Sequence, residues 1–275
     1  MTFQSRCSNI FCSQEYAKVI RGPLALCLIL VFLLAFEFAT AWPHGHYEVS
    51  RELTKALPLE LWQTLTTFGD ARALLAILLP LSLRYPKIVW PFLLSLLIGW
   101  LVVRGMKHWF QVPRPGLLLS AIDPGLPTSE ARRYNSFPSS HAMVIFSFAA
   151  IGLALLPRRW ALPLLALAAM VGWSRVGIGA HWPVDVLAGG LVGTAAACLG
   201  IFLGQISNWP EQPRQKAILT AIMLVAVLTL PFLDTGYSHT RWLRILLAAL
   251  ALGSAAYQVV RFSLDISSTE GRRSL

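Results

Sequence analysis

Trp173-Ser174-Arg175-Val176-Gly177-Ile178-Gly179-Ala180-His181-Trp182-Pro183-Val184-Asp185 lies where two apolar runs meet, Leu162 to Trp173 and Val184 to Leu203. The reading is helix, polar turn, helix. Similar runs recur along the chain, and several reach the ~20 residues that cross a hydrocarbon core. The chain is 56% hydrophobic and 13% charged, whereas a soluble domain carries about a quarter charged residues. The fold class is therefore all-α, a polytopic transmembrane helical bundle. Within the quoted stretch, Gly177 and Gly179 allow a tight turn, and Pro183 suits the first turn of a helix. His181 and Asp185 stand four apart, on one face of a helix that starts there. A histidine oriented by a carboxylate, with Arg175 a short turn away, is the residue set of a nucleophile with an anion clamp. Read alone, the same residues also fit a solvated polar loop.

Working outward, residues 1–21 form a basic, cytoplasmic N-terminal segment, and Gly22 to Trp42 is the first apolar run. That run shares features with a signal peptide, including Ala39-Thr40-Ala41 as a small-x-small site, but the long basic region favours a retained span. Glu37 is placed near its outer end, at the interface. Pro43 to Gly69 is a polar connection with an amphipathic piece, Leu57 to Phe68, lying in the interface plane. Ala71 to Leu83 is the second span and Ile88 to Val103 the third. His141 to Leu156 is the fourth, and the two runs flanking the quoted stretch are the fifth and sixth. A six-span core thus covers residues 22–204, a connector covers 205–216, two additional spans occupy 217–260, and 261–275 is a tail.

With the N-terminus in the cytoplasm, the inner segments hold 12 of the 23 Lys and Arg residues, which agrees with the positive-inside rule. The net charge of +10 then belongs to inner-face cations and a cationic site; no nucleic-acid partner is expected. Cys7, Cys12, Cys27 and Cys198 show no metal spacing and no disulfide pattern. His108 reads as an interfacial residue beside Trp109, and His44, His46 and His239 as solvated loop residues. Arg132 and Arg133 read equally as a solvated loop or as a contact for a second phosphate or a lipid headgroup.

Three polar clusters fall at outer span ends. They are Lys107 to Pro115, Phe137-Pro138-Ser139-Ser140-His141, and the quoted stretch. Together they bring Lys107, Arg114 and Arg175 to one place, and three like charges converge stably only around a multiply charged anion. Ser139 and Ser140 open a helix whose free N–H groups and dipole favour a phosphate. Two histidines then divide the work, one attacking phosphorus in line and the other protonating the departing oxygen, while Asp185 fixes the attacker's tautomer. The cations supply the charge that Mg²⁺ supplies elsewhere, so neither a metal nor a cofactor is expected.

Lys107, six residues, Arg114-Pro115; Pro138-Ser139-Ser140-His141; and Ser174-Arg175, five residues, His181, three residues, Asp185 together resemble the three-part signature of the type 2 phosphatidic acid phosphatase superfamily. The signature spans residues 107–185. The resemblance implies that His181 is the nucleophile forming a phosphohistidine, that Asp185 is its partner and that His141 is the general acid. It also implies that Lys107, Arg114 and Arg175 hold the phosphate, helped by Ser139 and neighbouring backbone. One departure is Ser140, where the family usually carries glycine. A site needing positive φ or close backbone approach there would be strained; a residue merely at the helix start would cap and add a hydroxyl donor. The second is expected.

The reading is an integral membrane phosphatase that removes a terminal phosphate from a lipid phosphate or diphosphate. Its site faces the periplasmic side of a bacterial cytoplasmic membrane. Isoprenyl diphosphates such as undecaprenyl diphosphate, phosphatidylglycerophosphate, phosphatidic acid and lipid A phosphate all fit. A lipid phosphotransferase using the same phosphohistidine and a non-enzymatic lipid binder or transporter are the rivals. Nothing in the sequence signals an oligomeric state.

Overall fold

The structure is a computed structural model that describes residues 13–41, 46–82, 85–119, 134–206 and 212–273. Its helices are α1 (Ser13–Ala41), α2 (Tyr47–Thr54), α3 (Leu59–Leu65), α4 (Ala71–Leu78), α5 (Pro86–Phe110), α6 (Pro115–Leu119), α7 (Ser140–Leu155), α8 (Ala161–Gly177), α9 (Pro183–Ile206), α10 (Pro213–Thr229) and α11 (Arg241–Arg273). Among the described residues every regular element is helical, and the fold is the all-α polytopic bundle that the apolar runs predict. Among the described residues, five helices are long and apolar enough to cross a membrane, or six if a bent pair counts as one span. Arg132, Arg133, His44, Cys7 and Cys12 lie outside the described residues.

The second span departs from expectation. Ala71 to Leu83 is apolar enough for a span but only 13 residues long, and the helix stops at Leu78 and continues as a single 3₁₀ turn, Leu79–Leu81. Eleven residues reach about 17 Å, well short of a ~30 Å hydrocarbon core. The length is made up by α3 and the 3₁₀ turn Thr66–Gly69, which meet α4 at a 65° bend. The bend falls at Gly69-Asp70, where Asp70 leaves the helical conformation and its carboxylate accepts the Arg72 N–H as an N-cap. The stretch read as an interfacial piece is thus continuous, through the bend, with the second apolar run. The fourth span is also short: α7 has 16 residues, and its N-cap, Ser139, is fully buried. This helix begins inside the bundle.

α9 is the central helix and packs most extensively on α7, α5 and α1. Small residues make that possible, because apolar lipid offers helices little hydrophobic reason to associate and close backbone packing takes over. A Cβ on Gly189 would sit 2.3 Å from the Ser139 carbonyl oxygen, and one on Gly193 would sit 2.1 Å from that of Met143. Backbone touches backbone along this seam, and its upper end sets Asp185 of α9 beside Ser139 of α7. The Ser139 N–H donates to the Asp185 carbonyl at 2.9 Å.

The last two helices are part of the bundle rather than an appendage. Leu219, Met223 and Val227 of α10, with Leu230 just beyond it, are fully buried. α10 packs on α4, where Ser82 Oγ meets Thr220 Oγ1 at 3.1 Å. α11 packs on α4 as well.

Candidate active site

α5 carries Lys107 in its last turn and ends at Gln111 in the left-handed conformation, φ 45°. A non-glycine residue there costs on the order of 1 kcal/mol, and the reversal turns the chain back so that the Val112 carbonyl accepts the Ser136 N–H at 2.9 Å. This clasp brings the first cluster against the residues just before the second. Lys107 Nζ donates to the Asn135 and Ser136 carbonyls, and Arg114 Nε donates to Asn135 Oδ1 at 3.2 Å. Both cations are thus aimed by neutral oxygens.

The third cluster folds as the spacing of its glycines predicts. α8 ends at Gly177, Gly179 takes a positive φ of 68°, and Pro183 opens α9. The turn carries His181, and Asp185 lies in the first turn of α9. Both are buried. Asp185 Oδ2 faces His181 Nδ1 at 3.3 Å and accepts the Trp182 N–H at 2.9 Å. The Ser136 hydroxyl donates to the same oxygen and lies 3.4 Å from His181 Nδ1. With Nδ1 turned to the carboxylate, Nε2 is the nitrogen left to react. Burial, the foremost cause, together with the charges of Arg114, Lys107, Arg175 and His141, holds the His181 pKa well below its ordinary value. The ring is therefore neutral, the form in which imidazole is a nucleophile.

Hydrogen bonds join all three clusters: Trp182 Nε1 donates to the Pro113 carbonyl at 2.8 Å, and the Ser139 N–H donates to the Asp185 carbonyl at 2.9 Å. Arg175, in the last turn of α8, is buried, and its Nη1 donates to Thr66 Oγ1 at 2.6 Å. His141 packs against the bend: a Cβ on Gly69 would meet its Cβ at 2.7 Å. Ser139 is the N-cap of α7, its Oγ accepting the Ala142 N–H at 3.4 Å. Ser140 is the first helical residue, and Gln111 is the only non-glycine position with positive φ among the described residues. Serine at 140 is thus free of that strain. The capping expected of Ser140 falls to Ser139, one residue earlier.

Sequence reasoning missed Asn135, Ser136, Thr66 and the Gly69-Asp70 bend. Asn135 and Ser136 directly precede a recognised cluster, so their position was a usable signal. Thr66 lies some 110 positions from the arginine it holds and gave none. Glu37 is engaged locally, accepting the His46 N–H at 3.0 Å and facing its Nδ1 at 3.2 Å. Among the described residues no group of His, Cys, Asp and Glu could hold a metal.

A cavity of about 200 Å³ opens beside the cluster, lined in part by Thr66, Thr67, Asp70, His141 and Arg175. Its far wall comes from the chain after α10, namely Leu233, Asp234, Thr235, Tyr237 and Arg244. The sequence assigned these residues no role. A second, more apolar cavity of about 510 Å³ lies beside Trp182, lined by His46, Tyr47, Val49, Leu118 and Leu119.

Residues 88–209 match the family model described as the PAP2 superfamily. A candidate undecaprenyl-diphosphatase of Escherichia coli, YbjG, is 47% identical over 66 residues, which cover 24% of this chain and 32% of that protein. The lipid A 1-phosphatase of Rhizobium etli is 41% identical over 63 residues, covering 23% of this chain and 27% of that one. This chain thus spans about a third of the length of the curated relatives it matches. The crystal structure of Aquifex aeolicus LpxE superposes with a TM-score of 0.51 at 23% identity, covering 56% of this chain and 93% of that chain, and shows a shared fold. With its apolar helices, this is an integral membrane protein, and the segment of it that carries the three clusters matches the PAP2 superfamily.

Proposed function

We propose that the chain is a membrane lipid phosphatase that cleaves a terminal phosphate from a lipid phosphate or diphosphate through a phosphohistidine. The observation that carries this reading is a neutral, buried His181 backed by Asp185 and Ser136 and surrounded by the charges of Arg114, Lys107, Arg175 and His141. The phosphate sits among the three cations. Nε2 of His181 attacks phosphorus, the bond to the lipid oxygen breaks, and the departing oxygen takes a proton from His141. Asp185 and Ser136 hold Nδ1 and stabilise the cationic ring that forms. Water then attacks the phosphohistidine, with His141 now accepting the proton, and inorganic phosphate leaves. The backbone N–H groups at the start of α7 and the Ser139 and Ser140 hydroxyls add donors for the phosphoryl oxygens.

In this reading the six-span unit over residues 22–204 supplies the chemistry, and the site faces the periplasmic side of a bacterial inner membrane. The relatives' names specify undecaprenyl diphosphate and the 1-phosphate of lipid A, and both are lipids with a terminal phosphate. The test is phosphate release by detergent-purified protein across a panel of lipid phosphates. Wild type should release phosphate, and His181→Ala and His141→Ala should lose at least about a hundredfold in rate. A folded His181→Ala protein that turns over normally would end the proposal. Transfer of phosphate to a second lipid, without inorganic phosphate, would make the chain a transferase.

A further inference from the structure

We propose that Arg244, supplied by the C-terminal helix pair, forms a second anion subsite that binds the leaving phosphate of a lipid diphosphate. The inference rests on the phosphatase reading above. Arg244 lies outside the segment that matches the family. Its residue is 3% exposed, and it lines the same cavity as His141 and Arg175. One edge of the guanidinium is anchored: Nη1 donates to Thr240 Oγ1 at 2.6 Å and to Thr235 Oγ1 at 2.9 Å. Thr240 in turn donates its hydroxyl to the Tyr237 carbonyl at 2.8 Å, which leaves its oxygen lone pairs for the arginine. Nε is buried without a partner. A guanidinium carries five donors, and burying one with donors unfilled is costly. The arrangement is that of a cation positioned for an anion.

The acids on the cavity wall, Asp70 and Asp234, act on Arg244 through their charge, while their hydrogen bonds go to other groups. Asp70 Oδ1 accepts from the N–H and Nε of Arg72, and Asp234 Oδ1 accepts the Gly236 N–H. A cavity of about 200 Å³ is several times the ~30 Å³ share of one water, enough for a phosphate group. Its position identifies which phosphate. His141 lines this cavity, and in the proposed reaction it protonates the departing oxygen, so that oxygen leaves on the cavity's side. When a diphosphate is cleaved, the bridging oxygen leaves as part of a phosphate monoester, whose negative charge rises as the bond breaks. Arg244 stabilises that charge. A monophosphate substrate leaves as an alcohol and has nothing there for the arginine to hold.

The experiment compares wild type, Arg244→Gln, Arg244→Lys and Thr235→Val/Thr240→Val on farnesyl diphosphate and on dilauroyl phosphatidic acid, using the full chain in detergent. His181→Ala is the control. Arg244→Gln should lose kcat on the diphosphate by about tenfold more than on the monophosphate. Arg244→Lys should fall between, because it keeps the charge but not the fork. If Arg244→Gln fails to fold, the double threonine variant, which frees the guanidinium, should show the same selective loss. Equal losses on both substrates would make Arg244 structural and overturn the subsite. Wild type that cleaves phosphatidic acid but not the diphosphate would overturn the subsite and leave the phosphatase reading standing. Turnover surviving in His181→Ala would overturn both.

Discussion

Ser136 donates its hydroxyl to the Asp185 oxygen that also faces His181. Removing it leaves a buried carboxylate short of one donor, and hydrogen bonds to charged groups are worth about 1.5–3 kcal/mol. Ser136→Ala should therefore slow turnover by about tenfold with little change in KM, measured as initial rates of phosphate release. An unaltered kcat would remove Ser136 from the relay. The buried His181 ring makes a second prediction, about pH. A base with a depressed pKa stays unprotonated as pH falls through the ordinary histidine value of about 6.5, so the acid limb of the kcat/KM profile should lie below that value. Arg114→Gln removes one of the charges that depress it, and the limb should move toward neutrality in whatever activity remains. An acid limb above 6.5 in wild type would contradict the assignment of His181 as the neutral nucleophile. At this scale the sequence was largely legible. The glycines between Arg175 and His181 marked the tight turn and Pro183 the helix start, because both are local decisions, but His181 falls in the turn before the helix and not on the helix face shared with Asp185. Thr66 was illegible, because its role depends on which helix lies across from Arg175.

The helices were legible by composition, and their breaks were not. Apolar runs located α1, α5, α8, α9 and α10 to within a few residues at most ends, since lipid demands a continuous apolar length. The bend at Gly69-Asp70 was not legible, because Leu57 to Phe68 and Ala71 to Leu83 read as separate pieces and only the folded chain shows how they meet. Packing between spans has no local signal beyond small residues, and Gly189 and Gly193 are where it matters most. Gly193→Val places a branched side chain where even a Cβ lies 2.1 Å from the Met143 carbonyl oxygen. Overpacking of this kind costs about 1–3 kcal/mol or more. The variant should melt at a lower temperature in detergent than wild type, followed by thermal aggregation. Wild-type melting would mean that α7 and α9 do not pack as described.

Across the molecule, the C-terminal pair reaches the site by two routes. It walls the cavity through residues 233–244, and it packs on α4, which is joined through the bend to the Thr66 that holds Arg175. A chain shortened to end at residue 212 should therefore lose at least about tenfold in phosphate release, since small displacements of positioned groups are expensive. Full activity in a folded, shortened chain would show that the family-matched segment is self-sufficient. The charge balance anticipated one cationic centre, but a count of spans could not reveal that later helices return to it.

The tie between Ser139 and Asp185 runs from main-chain nitrogen to main-chain oxygen, so it is blind to which amino acids occupy either position. Exchange of either side chain leaves this tie between the two helix starts in place. Proline at 139 is the exception, for it has no hydrogen to give. That one replacement should unfasten the pair while leaving His141, His181 and Asp185 in the chain.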